Sequence, residues 1–112
     1  MPFKFEKLTV WKLAIELASD IHELTRSFVL TSQMKRASDS ISLNIAEGST
    51  GQSDPEQVKF LGYAQRSALE VINCFYLALS RKYITEILFN EFYKRLETLI
   101  IKIQALKKTL KN

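Results

Sequence analysis

The side chains that most often do chemistry are scarce in this chain. It holds one histidine, His22, and one cysteine, Cys74. A structural zinc site takes about four such ligands, more than one copy of the chain supplies. A carboxylate site of the helical-bundle kind needs Glu-x-x-His pairs facing inward, and His22-Glu23 lacks that spacing. No metal or other cofactor is expected, and His22 reads as a surface or boundary residue beside Ile21. Cys74 lies between Asn73 and Phe75 in an apolar stretch. A cysteine there acts as a small hydrophobe, and the sequence names no base to activate it. The run GSTG at 48–51 follows no strand and carries no lysine, so it is not a phosphate-binding loop. No catalytic residue emerges, and the expectation is that the chain is not an enzyme.

A second constellation is polar rather than catalytic. The stretch Leu30 to Gly51 reads as one amphipathic helix closed by glycines, with Asn44 on its apolar seam. A buried asparagine costs stability unless its amide is bonded, and in return it sets register or oligomer state. Arg36, Ser40 and Glu47 share a flank of that helix at offsets of four and seven. On the following helix Arg66 and Glu70 are four apart. They can pair with each other or reach across to Asn44 or Glu47. The six residues read as a structural network, as a contact between subunits, or as a binding site.

Charge supplies the third candidate. The net charge is +4, and Lys102, Lys107, Lys108 and Lys111 follow Glu97 with no acid among them. Those cations suit the negative pole of a helix dipole, or they form a patch for a polyanion. Aromatic residues interleave with cations at Phe92-Tyr93-Lys94-Arg95 and Arg81-Lys82-Tyr83, a pattern found in nucleic-acid binding and also on plain exposed helix faces. If there is a patch, its phosphate contacts are Lys94, Arg95, Lys102, Lys107, Lys108 and Lys111, and its partner is RNA or DNA.

These residues have to be held by helices. Val10, Ala14, Leu17, Ile21, Leu24 and Phe28 step by four and three, broadened by Trp11 and Ala18, which predicts a helix over about Thr9 to Ser27. The short lead before it should pack down through Phe3, Phe5 and Leu8. The seam resumes through Leu30, Met34, Ala37, Ile41, Asn44 and Gly48, widened by Ile45. Thr31 or Ser32 is the expected cap, with Leu30 as a staple, and Gly48 the expected left-handed stop. Ser53-Asp54-Pro55-Glu56 predicts the next start, with a capping box if Ser53 is the cap. The third seam runs through Val58, Leu61, Ala64, Ala68, Ile72, Phe75 and Leu79. Phe60, Leu69, Val71 and Tyr76 add apolar surface round the cylinder. A helix so widely apolar touches more than one neighbour. After a break at Arg81 to Thr85, Phe89, Phe92, Leu96, Leu99, Ile103, Leu106 and Leu110 form the fourth seam.

Short connections make sequential helices antiparallel, so the fold expected is an all-α up-down four-helix bundle. The 112 residues suit a single domain over 1–112. The opening MPFKFEKLTVWK has no apolar core of a secretory signal. No apolar run approaches the roughly 18 residues needed to cross a bilayer. A lone cysteine fits a reducing compartment, so the expected location is the cytoplasm, with no membrane partner.

The run LTSQMKRASDSISLNIAEGS resembles the signature of a known family, the 23S rRNA intervening-sequence or S23 proteins, which read L-T-x-Q-x-x-R-A-x-x-S-I-x-x-N-I-A-E-G. Leu30, Thr31, Gln33, Arg36, Ala37, Ser40, Ile41, Asn44, Ile45, Ala46, Glu47 and Gly48 match it. The opening FEKLTVWKLAIELA resembles the family's F-x-x-L-x-V-W-x-x-A through Phe5, Leu8, Val10, Trp11 and Ala14. FLGYAQRSALE resembles F-L-x-x-A-x-G-S-x-x-E through Phe60, Leu61, Ala64, Ser67 and Glu70, with Arg66 where the family often has glycine. The connection after Phe28 is also shorter than in many relatives. The resemblance implies an antiparallel four-helix bundle assembled as a ring-like homo-oligomer, a pentamer, with no established enzymatic activity. It also implies a link to nucleic acid. Some members are encoded inside intervening sequences of ribosomal RNA genes, and a related branch assists the reverse transcriptases of diversity-generating retroelements. The alternative function is a scaffold that binds another protein, such as a nucleic-acid-processing enzyme.

Overall fold

The apolar periods of three and four become four helices: α1 (Thr9–Leu24), α2 (Thr31–Gly48), α3 (Asp54–Ser80) and α4 (Glu86–Lys111), preceded by a short 3-10 helix at Lys4–Lys7. The structure, a computed structural model, describes residues 3–24, 31–51 and 53–111, with Thr31 and Lys111 described by their backbone alone. The expected extension of α1 to Ser27, the seam residue Phe28, the staple Leu30 and a cap at the Thr31 side chain all lie outside the described residues. Each helix packs on its successor, and α4 closes back on α1. That is the order of an antiparallel up-down bundle. The molecule measures 44 × 24 × 18 Å, with its long axis set by α3 and α4, each about 40 Å at 1.5 Å per residue.

The core follows the seams closely. Val10, Ala14, Leu17 and Ile21 of α1 meet Met34, Ala37, Ile41 and Ile45 of α2 and Leu61, Ala64, Ala68, Val71 and Phe75 of α3. Phe89, Phe92, Leu96, Leu99 and Ile103 of α4 close the fourth side, and Phe92 stacks on Phe75 with ring centroids 5.0 Å apart. Two positions exchange roles on α2. Ile45 is fully buried in the core, whereas Asn44 is half-buried on the flank towards α3. Ser38 and Ser42 are buried as well. Each returns its hydroxyl proton to a carbonyl one turn back, on Lys35 and Asp39, which satisfies a polar group that burial would otherwise penalise.

The helix ends show which local signals acted. Ser53 caps α3 by accepting from the Glu56 backbone N–H at 3.2 Å. The return half of the capping box is not made, because the Glu56 carboxylate turns to Lys59 at 2.9 Å. Thr85 caps α4, accepting from the Leu88 N–H at 3.2 Å. Gly48 is not the left-handed stop expected of it. Among the described residues the glycine with positive φ is Gly51, at 93°. Gly48 is needed for closeness instead: a Cβ there would sit 2.7 Å from Phe60 Cβ and 3.3 Å from the Gln57 carbonyl oxygen. The lead packs as expected through Phe5, whose ring lies 4.9 Å from Trp11, and through Leu8. Phe3 stays exposed.

Candidate functional site

Where α2 crosses α3, a small polar chain joins them. The Asn44 amide donates to the Ser40 carbonyl at 2.9 Å and to Ser40 Oγ at 3.0 Å. Ser40 Oγ is 2.8 Å from Ser67 Oγ of α3. Each of the three residues is half-buried. Glu70, one turn along α3, accepts from the Gln33 amide at 3.4 Å. So Ser40, Asn44 and Glu70 do take part in contacts, the first two in the link between helices, yet the partners are Ser67 and Gln33 rather than Arg66. Arg36, Glu47 and Arg66 are exposed, and among the described residues no hydrogen bond or ion pair joins them to this chain. A half-buried seam admits short neutral side chains that reach one another. Long charged ones keep better hydration outside. Ser67 was legible as a match to the family pattern, but nothing in the sequence paired it with Ser40.

A second bridge, unforeseen from the sequence, ties α3 to α4. The Gln65 amide donates to Gln104 Oε1 at 3.0 Å, and its carbonyl oxygen accepts from Lys107 Nζ at 3.0 Å. Lys107 is therefore engaged with α3. Arg95 is engaged with α1, through Asp20 Oδ2 at 2.8 Å, and its guanidinium also lies over the Phe92 ring at 5.4 Å. Lys94, Lys102 and Lys108 are exposed, and Lys94 and Lys102 have no hydrogen-bond or ion-pair partner among the described residues. The Lys111 side chain lies outside the described residues. Among the described cations of α4, Arg95 and Lys107 thus brace the bundle, while Lys94, Lys102 and Lys108 are exposed.

The histidine and the cysteine both sit against neighbouring helices. His22 Nε2 meets Asp39 Oδ1 at 2.9 Å, across the α1–α2 interface. Cys74 is buried, and desolvation, followed by the nearby Glu70 charge, raises its thiol above the ordinary value, away from the thiolate that reacts. Among the described residues no three His, Cys, Asp or Glu side chains converge to hold a metal ion. No helix there is long and apolar enough to cross a membrane. Hollows of about 200 and 400 Å³ lie along the α1–α4 side, and one of about 350 Å³ lies beside the lead and the α2–α3 loop.

Set beside known proteins, residues 6–105 match the family model described as 23S rRNA-intervening sequence protein. A solved structure from Bacteroides thetaiotaomicron VPI-5482, a protein of unknown function from the S23 ribosomal protein family, superposes with a TM-score of 0.81. It shares 22% identity, over 89% of this chain and 99% of that one, and so attests the fold alone. No curated protein is significantly similar to the sequence.

Proposed function

We propose that this chain, which belongs to the family of 23S rRNA-intervening sequence proteins, is a non-enzymatic, homo-oligomeric bundle that binds RNA through the solvent side of α4. One observation carries the reading. The end of α4 beyond Glu97 has no acid, and Lys102 and Lys108 there are exposed. Lys94 extends the same basic surface one helix segment back. Arg95 and Lys107 are left to the structure, because their charges already serve Asp20 and Gln65. A net charge of +4 is modest for one chain. Several copies held in a ring add their fields and their contacts, which converts weak single-site attraction into useful avidity. Exposed apolar side chains on α3, Leu69 and Tyr76, support an assembly that covers them, and the resemblance to the family implies a pentamer. The buried Cys74 thiol fits a reducing cytoplasm.

Salt dependence of RNA binding tests the reading. Affinity should fall steeply as salt rises, and neutralising Lys102 and Lys108 to Gln should weaken binding and lower the salt slope by about one per lysine. Binding absent at low salt, or indifferent to salt, rejects it.

A further inference from the structure

We propose that the groove between α1 and α4 is a docking site for an acidic amphipathic helix of a partner protein. α1 and α4 meet less extensively than the other adjacent pairs of long helices. The space they leave is two hollows, of about 200 and 400 Å³. Leu13, Leu17 and Leu99 line the first, and Leu8, Val10 and Leu106 the second. Val10 is one helical turn from Leu13, as Lys102 is from Leu99, so the hollows adjoin as one groove. From Leu8 to Leu17 it runs about 14 Å, the length over which a docked helix presents apolar anchors at i, i+3 or i+4, and i+7.

The charges at the rim choose the occupant. Four cations, Lys7, Lys94, Arg95 and Lys102, line the two hollows and no acid does. Arg95 is already matched by Asp20. Lys94 and Lys102, exposed and without partners among the described residues, stand eight residues apart on α4, about 12 Å or two turns. A helix whose glutamates repeat at that interval on one flank of its leucine stripe meets both the cations and the floor. A polyphosphate chain meets the cations and gains nothing from the leucines. This docking site goes beyond RNA binding, although Lys94 and Lys102 serve both.

The test uses the full chain and a labelled synthetic helix of about 18 residues, with leucines in the i, i+3, i+7 pattern and glutamates eight apart. One control peptide carries lysines for the glutamates, and another has its leucines scrambled. Fluorescence anisotropy should show the acidic peptide binding at least tenfold more tightly than either control. Leu13→Ser should weaken it at least fivefold and leave RNA affinity unchanged. Thr98→Glu changes the rim without touching the core, so it keeps the test valid if Leu13→Ser unfolds; it too should weaken the peptide at least fivefold. Equal affinity for all three peptides overturns the proposal, as does indifference to Thr98→Glu. Loss of self-association in Thr98→Glu, with no peptide bound by the unaltered chain, assigns the groove to a second copy and also overturns it. RNA binding that persists while the peptide fails leaves the RNA reading standing and this one rejected.

Discussion

At the scale of single residues, two glycines of similar appearance do opposite things. Gly48 lies where α2 passes close to α3, and the atom its Cβ would strike, Phe60 Cβ at 2.7 Å, is too near its own backbone to swing away. Gly48→Ala should therefore cost about 1–3 kcal/mol, as overpacked sites do. Gly62 lies inside α3, where an added Cβ meets only the flexible Lys107 Nζ at 3.6 Å. Gly62→Ala should stabilise by about 0.5–1 kcal/mol through helix propensity. Urea unfolding of both variants decides it; equal shifts would remove the close approach as the reason for Gly48. Cys74 offers a titration. Its thiol is raised by burial in the folded state, so unfolded chains ionise first as pH climbs. The stability it contributes is whole below about pH 9, the ordinary thiol value, and is lost as pH rises towards the folded value. A thiol reagent should label Cys74 only as fast as the protein unfolds. Labelling faster than unfolding would mean a thiol open to solvent.

At the scale of elements, the end of α3 has the hydrogen bonds of a glycine-closed helix without the glycine. The Tyr83 N–H returns to the Ala78 carbonyl at 2.9 Å, and the Lys82 N–H to Leu79 at 3.0 Å, the paired bonds of a Schellman turn. Lys82 takes the left-handed position, at φ 61°, which costs a side-chain-bearing residue about 1 kcal/mol or more. Lys82→Gly should raise stability by about that amount, read as a higher denaturant midpoint with an unchanged m-value. The break over Arg81 to Thr85 was legible from the restart of the seam at Phe89. Its geometry was not, because no residue type in it announces a left-handed backbone. The polar contacts between elements were legible only in part. Asn44 stood out as a polar residue in an apolar period, but its route through Ser40 to Ser67 depends on how α2 rotates against α3. That rotation puts Ile45, rather than Asn44, at the centre of the core.

For the whole molecule, assembly is the open variable with the largest consequence. Leu69 is 58% exposed and Tyr76 51%, and α3 lies between α2 and α4 with that surface turned outward. Light scattering after size exclusion should return a mass well above the 12.9 kDa of one chain. Leu69→Glu should lower that mass while leaving the melting temperature of the bundle within a few degrees. A single chain's mass at micromolar concentration ends the ring reading, and leaves RNA binding to the charge of one copy.

The sequence by itself determined the four helices, their apolar faces and their antiparallel order, since a period near 3.6 and short connections leave few other ways to bury those residues. It also determined how poor the chain is in metal ligands and nucleophiles, a matter of composition. Tertiary structure decided which cations are engaged within the bundle. Arg95 and Lys107 read the same as Lys94 and Lys102 along the chain, and differ only because Asp20 and Gln65, far away in sequence, are within 3.0 Å of them in the fold. It decided likewise that the α1–α4 side stays open while the α2–α3 side closes, because small residues at Gly48, Ser40 and Ser67 let α2 and α3 approach closely.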